Sequence, residues 1–248
     1  MSIAGQSVVI TGAGTGIGRG IAERALRSGA RVTVVGRRAE PLAELVRQAP
    51  DAVEMVAVDV SAPGAAESIV AAAVDRFGRL DAVVNNAGAA RFGKLAETGP
   101  ADFTAMLDVN VRAPADLIRS ALPQLQANRG CVVNVSSVSG VLAMPGRSFY
   151  GASKAALNSL TRSLARELAP GVRVNAILPG PVDTPLWQET GMTAAQEQEL
   201  RDGLLSATPM GRFGDGAEVA RWVCALLDPE LSGWVTGALI PVDGGRTA

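Results

Sequence analysis

Residues 148–154 read SFYGASK, and Tyr150 within them is the only tyrosine of the 248-residue chain. Lys154 follows four positions later, which on a helix places both side chains on one face. The chain contains no histidine, so proton transfer near neutral pH requires another titratable group. A phenol, with a reference pKa of about 10, can serve when nearby cations favour its phenolate form. The pair therefore predicts acid–base chemistry; the alternative is a Tyr–Lys pair on a solvated helix surface.

Two further polar residues are placed where they could assist such chemistry. Ser137 follows a short apolar run, and its hydroxyl could donate to a carbonyl oxygen as negative charge develops there; Ser136 and Ser139 are alternatives from sequence alone.

Asn110 lies within a helical pattern, four residues before Pro114. Because Pro114 lacks the N–H that would bond the carbonyl of residue 110, that carbonyl is predicted to be free for water. The alternative is a kink relieved by solvent.

A glycine-rich stretch, TGAGTGIG at positions 11–18, separates the first apolar run from the first helical pattern. The glycines of this stretch predict a tight turn, a backbone without side-chain bulk and close packing of the helix on the strand; they are Gly12, Gly16 and Gly18. The helix start then offers free N–H groups and a positive dipole end to a pyrophosphate. The spacing is T-G-x-x-x-G-x-G, and no register of G-x-G-x-x-G fits. The alternative is a flexible glycine turn.

The end of the second apolar run bears on the choice of dinucleotide. An NAD site would place Asp or Glu there for the ribose 2′-hydroxyl, but this chain has Gly36, Arg37 and Arg38. Guanidinium groups pair well with a 2′-phosphate, so NADP(H) is favoured over NAD(H). Alternatively the arginines are a solvated helix start. Asp59 suits the adenine amino group or caps the following helix.

Short continuous apolar runs alternate with helical patterns along the whole chain. Such runs are typical of strands buried on both faces of a parallel sheet. The predicted fold class is α/β, a Rossmann-type doubly wound parallel sheet of about seven strands in one domain over residues 1–248. The predicted strands are 7–11, 31–36, 53–60, 81–88, 131–137, 172–180 and 238–245. The predicted helices lie at 16–29, 38–48, 62–77, 102–127, 149–169 and 217–227.

One segment interrupts this alternation. Residues 181–216 are rich in Pro, Gly, Thr and Gln, with a short helical pattern near 193–205. Connections this long often cover an active site. We therefore expect a substrate lid around residues 184–212.

Composition excludes several other classes of function. With 23 basic and 24 acidic residues the formal net charge is -1, so no nucleic-acid partner is expected. Cys131 and Cys224 lack metal-ligand spacing, so no metal is expected and both are interpreted as small buried residues. No apolar run approaches the ~18 residues of a membrane span, and no leader pattern opens the chain. A cytoplasmic protein without membrane association is expected.

Taken together, these motifs resemble the short-chain dehydrogenase/reductase family. The resemblance spans essentially the whole chain and rests on five motifs in the family's order and spacing. They are the 11–18 glycine loop, N85-N86-A87-G88, Asn110 with Ser137, Y150-x-x-x-K154, and P179-G180. The closing V242-D243-G244-G245 also agrees. The chain is therefore predicted to be an NAD(P)-dependent oxidoreductase of that family, similar to its 3-oxoacyl-carrier-protein reductases.

The resemblance also implies a role for each motif residue. Tyr150 would be the general acid–base, and Lys154 would hold the nicotinamide ribose and lower the pKa of the tyrosine. Ser137, selected over its neighbours by its spacing of 13 residues before the tyrosine, would bind the substrate oxygen. Asn110 would hold a water in a proton relay. The implied cofactor residues are Gly12, Thr15, Gly16, Ile17, Gly18, Arg37, Arg38, Asp59, Val60, Asn86, Ala87, Gly88, Tyr150, Lys154, Pro179, Gly180, Val182 and Thr184.

The candidate substrate residues are largely apolar, which favours a small hydrophobic ketone or alcohol, although most pockets are apolar. They are Val138, Met144, Phe149, Leu186 and Trp187, with Phe92 as a further candidate. Arg91 and Arg147 could meet an anion, although exposed arginines are the commoner case.

Two alternative functions and the assembly state complete the expectations. In a 3-oxoacyl-carrier-protein reductase, basic surface residues would fall at Asn128 and Pro170, although Arg129 and Arg166 could substitute. A non-catalytic cofactor-sensing regulator would have a broken set of catalytic residues, whereas the set here is complete. Family resemblance also implies a homo-oligomer, a tetramer or a dimer, built on the helices near 102–127 and 149–169.

Overall fold

The computed structural model describes residues 3–248 as one seven-stranded sheet flanked by helices. The strands are β1 (Ser7–Thr11), β2 (Arg31–Gly36), β3 (Val53–Ala57), β4 (Ala82–Asn85), β5 (Cys131–Val135), β6 (Arg173–Pro179) and β7 (Leu239–Val242). The helices are α1 (Gly16–Arg27), α2 (Ala39–Gln48), α3 (Ala65–Phe77), α4 (Pro100–Leu107), α5 (Ala113–Ala127), α6 (Ser148–Leu168), α7 (Ala194–Ser206), α8 (Gly216–Leu227) and α9 (Pro229–Ser232).

All seven strands are parallel, in the order β3-β2-β1-β4-β5-β6-β7. This confirms the predicted fold class. Strand β1 has β2 on one side and β4 on the other, with Val9 in register with both Thr33 and Val83. The strand order reverses there, and such a crevice at the carboxyl edge is where doubly wound sheets bind ligands.

The core lies on both faces of the sheet because successive strand side chains point to opposite sides. Val8 and Ile10 join an apolar cluster with α1, α2 and α8, while Val9 between them joins a second cluster with α3, α5 and α6. Cys131 and Cys224 are both buried in the first cluster, as their interpretation as small apolar residues predicts. No residue between positions 183 and 218 belongs to either cluster.

The strands end earlier than the apolar runs predicted. The runs at 53–60, 81–88 and 131–137 leave the sheet at Ala57, Asn85 and Val135. Their remaining residues form loops at the carboxyl edge, and these loops contain most of the polar residues singled out above.

The helix predicted over 102–127 is interrupted. Residues Asp108–Arg112 form a π-helical turn between α4 and α5, in which the N–H of Ala113 bonds the carbonyl of Asp108 five residues earlier. Because Pro114 has no N–H to offer, the regular ladder cannot continue through this position. Single π turns of this kind are frequent at functional sites.

The segment 181–216 forms a 3₁₀ turn over Pro185–Glu189, followed by α7. The Thr193 hydroxyl caps α7 by accepting a hydrogen bond from the backbone N–H of Gln196. The side-chain oxygen of Gln196 in turn accepts from the backbone N–H of Thr193. The guanidinium of Arg201 in α7 lies over the ring of Trp187, in the 3₁₀ turn, and over the ring of Phe213. The contact with Trp187 connects α7 to the turn. Among residues 3–248, no helix is long and apolar enough to span a membrane.

Candidate active site

The loops at the carboxyl edge enclose a cavity of about 360 Å³. Its walls come from the loops after β1, β2, β3, β4, β5 and β6 and from the start of α6. All the predicted catalytic residues except Asn110, and all the predicted cofactor residues except Gly18, line this cavity. Positions spread over most of the chain are thus brought to one site.

The glycine loop is held in place by the neighbouring strand end. The Thr11 hydroxyl accepts from the backbone N–H groups of Asn86 and Ala87, both at 3.0 Å, and the Asn86 amide donates to the carbonyl of Thr11 at 2.9 Å. Gly12 and Gly16 have φ values of 66° and 54°, a region that favours glycine. The loop conformation therefore depends on both its glycines and the Asn86 clamp.

Gly18 does not line the cavity, and a contact between this residue and the cofactor stays a prediction. It is buried beneath the loop, where a Cβ would come within 2.1 Å of the Gly12 carbonyl oxygen and 2.4 Å of the Asn86 amide nitrogen. Its role is the close helix–strand packing that the glycine spacing also predicts.

The cavity wall at the start of α1 fits a dinucleotide pyrophosphate. Thr15 at the N-cap makes no side-chain cap, and no acidic residue occupies the first turn. The first N–H groups of the helix are therefore left without a side-chain acceptor, beside a loop with little side-chain bulk. Such an arrangement suits an anion.

Near the end of β2, Arg37 and Arg38 line the cavity and no acidic residue stands at Gly36. The Arg37 guanidinium is 3.4 Å from the carboxylate of Glu189 on the 3₁₀ turn, and both side chains are largely exposed. The carboxylate of Asp59 accepts hydrogen bonds from the N–H and the hydroxyl of Ser61. These bonds are the main cause of the lowered pKa of Asp59, and the charge of Arg37 lowers it further by a smaller amount. Asp59 therefore lines the cavity and also orders the turn before α3.

The phenol of Tyr150 is 8% exposed and lies in the cavity wall. Its pKa is raised, because burial disfavours the phenolate; the Ser137 hydroxyl and the charge of Arg147 act in the opposite direction. Arg147, three residues earlier, is a charged group that acts on the phenol. The lowering of this pKa by Lys154 together with an oxidised nicotinamide stays a prediction.

Lys154 is buried, and its Nζ donates to the carbonyl oxygen of Val135 at 3.1 Å. Burial lowers the pKa of the ammonium to about 8. The Nζ lies 5.8 Å from the centroid of the Tyr150 ring, on the same side of α6. The predicted common face is confirmed, with the ammonium anchored to the end of β5.

The structure distinguishes the three candidate serines. The Ser137 hydroxyl acts to lower the pKa of Tyr150 and accepts from the N–H of Ser139 at 3.1 Å. The Ser136 hydroxyl donates to the carbonyl of Lys154, and the Ser139 hydroxyl contacts the sulfur of Met144. Of these hydroxyls, only that of Ser137 acts on the phenol.

Asn110 lies within the π turn, is completely buried and does not line the cavity. Its side chain exchanges two hydrogen bonds with the backbone of Ala89, both 2.9 Å, and donates to the Ser153 hydroxyl at 3.0 Å. It therefore joins the loop after β4 to α6. The predicted water relay through its backbone carbonyl stays a prediction.

Four of the five substrate candidates, Val138, Met144, Leu186 and Trp187, line the cavity. Phe149 does not: its ring stacks on Phe103 of α4 at 4.5 Å between centroids, because its position on α6 points away from that of Tyr150. Phe92 instead presents its edge to Tyr150, at 5.5 Å.

The two arginines considered as anion contacts differ. Arg91 lies outside the cavity, half-exposed, with Asp102 at 4.0 Å. Arg147 lines the cavity, and its Nε is buried without a hydrogen-bond partner. Sequence reasoning also missed Glu189 and Arg246 as wall residues; both come from segments remote in sequence, and only the fold brings them here.

Comparisons with known proteins agree with this geometry. A family model described as enoyl-(acyl carrier protein) reductase matches residues 12–247. The 3-oxoacyl-[acyl-carrier-protein] reductase of Thermotoga maritima is 36% identical, over 99% of each chain. The meso-2,3-butanediol dehydrogenase of Serratia marcescens is 36% identical over 97% of this chain and 94% of its own.

Solved structures give the same result. The 3-ketoacyl-(acyl-carrier-protein) reductase of Brucella melitensis, complexed with NADH, superposes with a TM-score of 0.91 at 32% identity over 100% of both chains. The matches to these relatives extend over 97–100% of this chain. The chain belongs to the short-chain dehydrogenase/reductase family and is an NAD(P)-dependent oxidoreductase.

Proposed function

We propose that the protein interconverts a ketone and a secondary alcohol with NADP(H), and that Tyr150 is the acid–base group. The observation that carries this proposal is the buried phenol of Tyr150, which lines the cavity together with Ser137, whose hydroxyl acts to lower the pKa of the phenol. The chain has no histidine to replace it. A carbonyl oxygen placed between the Ser137 and Tyr150 hydroxyls would meet two O–H donors.

The bound nicotinamide supplies the hydride for reduction and takes it up for oxidation. In the direction of reduction, Ser137 donates to the carbonyl oxygen as negative charge develops. Tyr150 then delivers its proton to that oxygen, so that one hydride and one proton complete the alcohol. The phenol is protonated at neutral pH, so the proton that reduction requires is present, while burial makes the phenol a weaker acid.

Lys154 has further donors available after its bond to Val135, because an ammonium carries three N–H groups. We propose that one of these binds the ribose next to the nicotinamide. Its positive charge, together with that of the oxidised nicotinamide, would lower the pKa of Tyr150 for alcohol oxidation. Asn110 is proposed to support water that replenishes the proton.

The preference for NADP(H) rests on charge at the end of β2. A 2′-phosphate there would meet Arg37 and Arg38 and no carboxylate at position 36. The exposed Arg37–Glu189 pair contributes little stability, because water screens it, so its opening is no obstacle to phosphate binding. We also propose that the turn and α7 over residues 184–212 act as a substrate lid.

A second candidate function is reduction of 3-oxoacyl groups on a carrier protein. It is favoured by the names of the Thermotoga and Brucella relatives. Against it, Asn128 and Pro170 fall where the family resemblance expects basic residues for the carrier. Kinetics with a 3-oxoacyl carrier protein and the matching simple thioester separate the two: preference for the carrier-bound form would favour this second function.

Tyr150→Phe tests the proposed reaction. We expect NADPH binding, followed by the fluorescence of the cofactor, to be unchanged, and reduction of simple ketones to fall by at least about 10³-fold because the proton donor is absent. Ser137→Ala is expected to fall less, about 10²-fold, since one donor to the oxygen remains. Turnover by Tyr150→Phe at the rate of the native enzyme would overturn the assignment.

The resemblance to short-chain dehydrogenases also leads us to propose a homo-oligomer, a dimer or tetramer, built on α5 and α6. Light scattering across a range of protein concentrations tests it. A monomer at all concentrations would contradict the proposal.

A further inference from the structure

One positive side chain in the wall of the cavity lacks a counter-charge. The Nε of Arg147 is buried without a hydrogen-bond partner, and no carboxylate among residues 3–248 is among the groups that act on its charge. Its guanidinium instead lies 5.6 Å from the centroid of the Phe92 ring. An arginine stays protonated in proteins, so this is a partly buried cation whose lost hydration is not replaced by an anion.

A second cation lines the same cavity. Arg246, in the C-terminal segment, donates from one guanidinium nitrogen to the carbonyl of Ala207 at 2.7 Å, while its Nε is also buried without a partner. The pKa of Arg147 is lowered, first by burial and then by the charge of Arg246. Two like charges that repel one another in a half-buried wall favour binding of an anion between them.

Arg147 lies at the reacting end of the cavity. Phe92 contacts both groups: its ring centroid is 5.5 Å from that of Tyr150 and 5.6 Å from the Arg147 guanidinium carbon. The predicted cofactor cations, Arg37 and Arg38, follow β2 on the far side of the glycine loop. A ligand whose carbonyl reaches Tyr150 would therefore place its next few atoms near Arg147.

We propose that the substrate is a ketone or secondary alcohol that carries an anionic group, a carboxylate or similar oxyanion, bound by Arg147 with Arg246. This inference rests on the proposed reaction at Tyr150 and names its substrate class. The apolar residues Val138, Met144 and Leu186 then contact the carbon chain between the two polar ends. A planar guanidinium holds a carboxylate with two parallel bonds, which fixes the distance from the anion to the reacting carbon.

The test uses 3-oxobutanoate, 4-oxopentanoate and 5-oxohexanoate, each beside its neutral methyl ester. Their spacing between ketone and carboxylate increases by one carbon at a time. We expect the native enzyme to reduce at least one acid with a kcat/KM about 10- to 100-fold above that of its ester, as for a hydrogen-bonded charge pair. In Arg147→Gln that preference should disappear, mainly through KM for the acid, while KM for NADPH stays within about twofold. Any change in rate that follows from the altered pKa of Tyr150 should affect the acid and its ester by the same factor.

Three variants control for other effects of the substitution. Arg147→Lys keeps the charge and should retain part of the preference for acids. Arg246→Gln should weaken it by less than Arg147→Gln, because Arg246 is also bonded to Ala207. Arg91→Gln removes an arginine outside the cavity and should leave the preference unchanged.

Binding is measured separately, by calorimetry of each acid and ester with the protein and NADP⁺. If Arg147→Gln slows acids and esters by the same factor, so that the preference for acids is unchanged, then Arg147 serves only the Tyr150 phenol and the anion site is wrong. Turnover of neutral ketones with no preference for acids also overturns the anion site and leaves the proposed reaction intact. Arg147-dependent binding of acids without turnover of any ketone would support the site and overturn the reaction.

Discussion

The Nζ of Lys154 donates a hydrogen bond to the carbonyl oxygen of Val135 at 3.1 Å. The ammonium is thus fixed at the end of β5, one helical turn from Tyr150, and its charge is buried with no carboxylate beside it. Its pKa is correspondingly lowered from 10.5 to about 8. This relationship links the site to the stability of the fold, because the folded protein must carry a buried charge at neutral pH.

The first prediction concerns the pH dependence of that stability. Between pH 8 and 10.5 the unfolded chain holds a proton on Lys154 that the folded protein has released, so the free energy of unfolding rises with pH. Relative to Lys154→Met, the native protein should gain up to about 3 kcal/mol across this interval. Urea unfolding of both proteins at several pH values measures this gain. Subtracting the free energy of unfolding of Lys154→Met from that of the native protein cancels the contributions of the thiols and the other titrating groups. A pH-independent difference would contradict the buried charge.

The second prediction uses the single tyrosine of the chain. Because phenolate absorbs in the near ultraviolet, a pH titration of the cofactor-free protein reports Tyr150 alone. We expect its midpoint above the ordinary value of 10.0, since burial raises the pKa. Ser137→Ala and Arg147→Gln should each raise it further, the serine variant more. Tyr150→Phe, which lacks the signal, is the blank, and a midpoint below 10.0 in the native protein would be inconsistent with the structure.

The third prediction concerns cofactor choice. Arg37→Ala should weaken NADPH about 10- to 100-fold in Kd and NADH by no more than about threefold, because only NADPH carries the 2′-phosphate. Glu189→Gln is the matched control: it frees Arg37 from its ion pair and should leave NADPH binding unchanged or improved. Fluorescence titration measures both constants. Equal losses of the two cofactors in Arg37→Ala would remove the argument for NADP(H).

The fourth prediction compares two glycines in helices. A Cβ at Gly18 would come within 2.1 Å of the Gly12 carbonyl oxygen, whereas a Cβ at Gly203 of α7 would meet nothing within 4 Å. Gly18→Ala should therefore lower the free energy of unfolding by about 3 kcal/mol and disturb the glycine loop. Gly203→Ala should be neutral or stabilising by roughly 0.5–1 kcal/mol, since alanine favours helices. Denaturant unfolding and cofactor affinity measure the two effects; equal stabilities would show that the loop adjusts.

Much of the fold is predictable because its signals are local. Short, continuous β-branched runs such as RVTVVG are typical of buried strands, and the helices between them repeat their apolar residues at the expected spacing. Positions that depend on the backbone, such as Gly12 beside the cavity, are likewise readable from residue type and order. The strand order does not follow from this alternation alone, because doubly wound sheets occur with more than one common order.

The remaining features depend on contacts between distant segments. Phe149 has the composition of a pocket residue, but packing of α4 against α6 directs its ring onto Phe103. Arg147 looks like an ordinary surface arginine until Phe92 and the C-terminal segment are placed around it. The π turn at Asn110 depends on how the helix accommodates Pro114, and a helix can accommodate a proline in more than one backbone conformation. Such arrangements are set by tertiary packing and cannot be derived from spacing alone.

The absence of residues 183–218 from both large core clusters has a consequence for how this protein can diverge. Point changes, insertions or replacement of this segment alter the wall around Leu186 and Trp187 while the sheet and its two apolar layers stay intact. Selection for a new substrate can therefore act here at little cost in foldability. Thr184 and Gly216 pack against Gly16 and share the constraint on the dinucleotide loop after β1. The wall around Leu186 and Trp187 is free of that constraint, so substrate range is the more evolvable property of this scaffold.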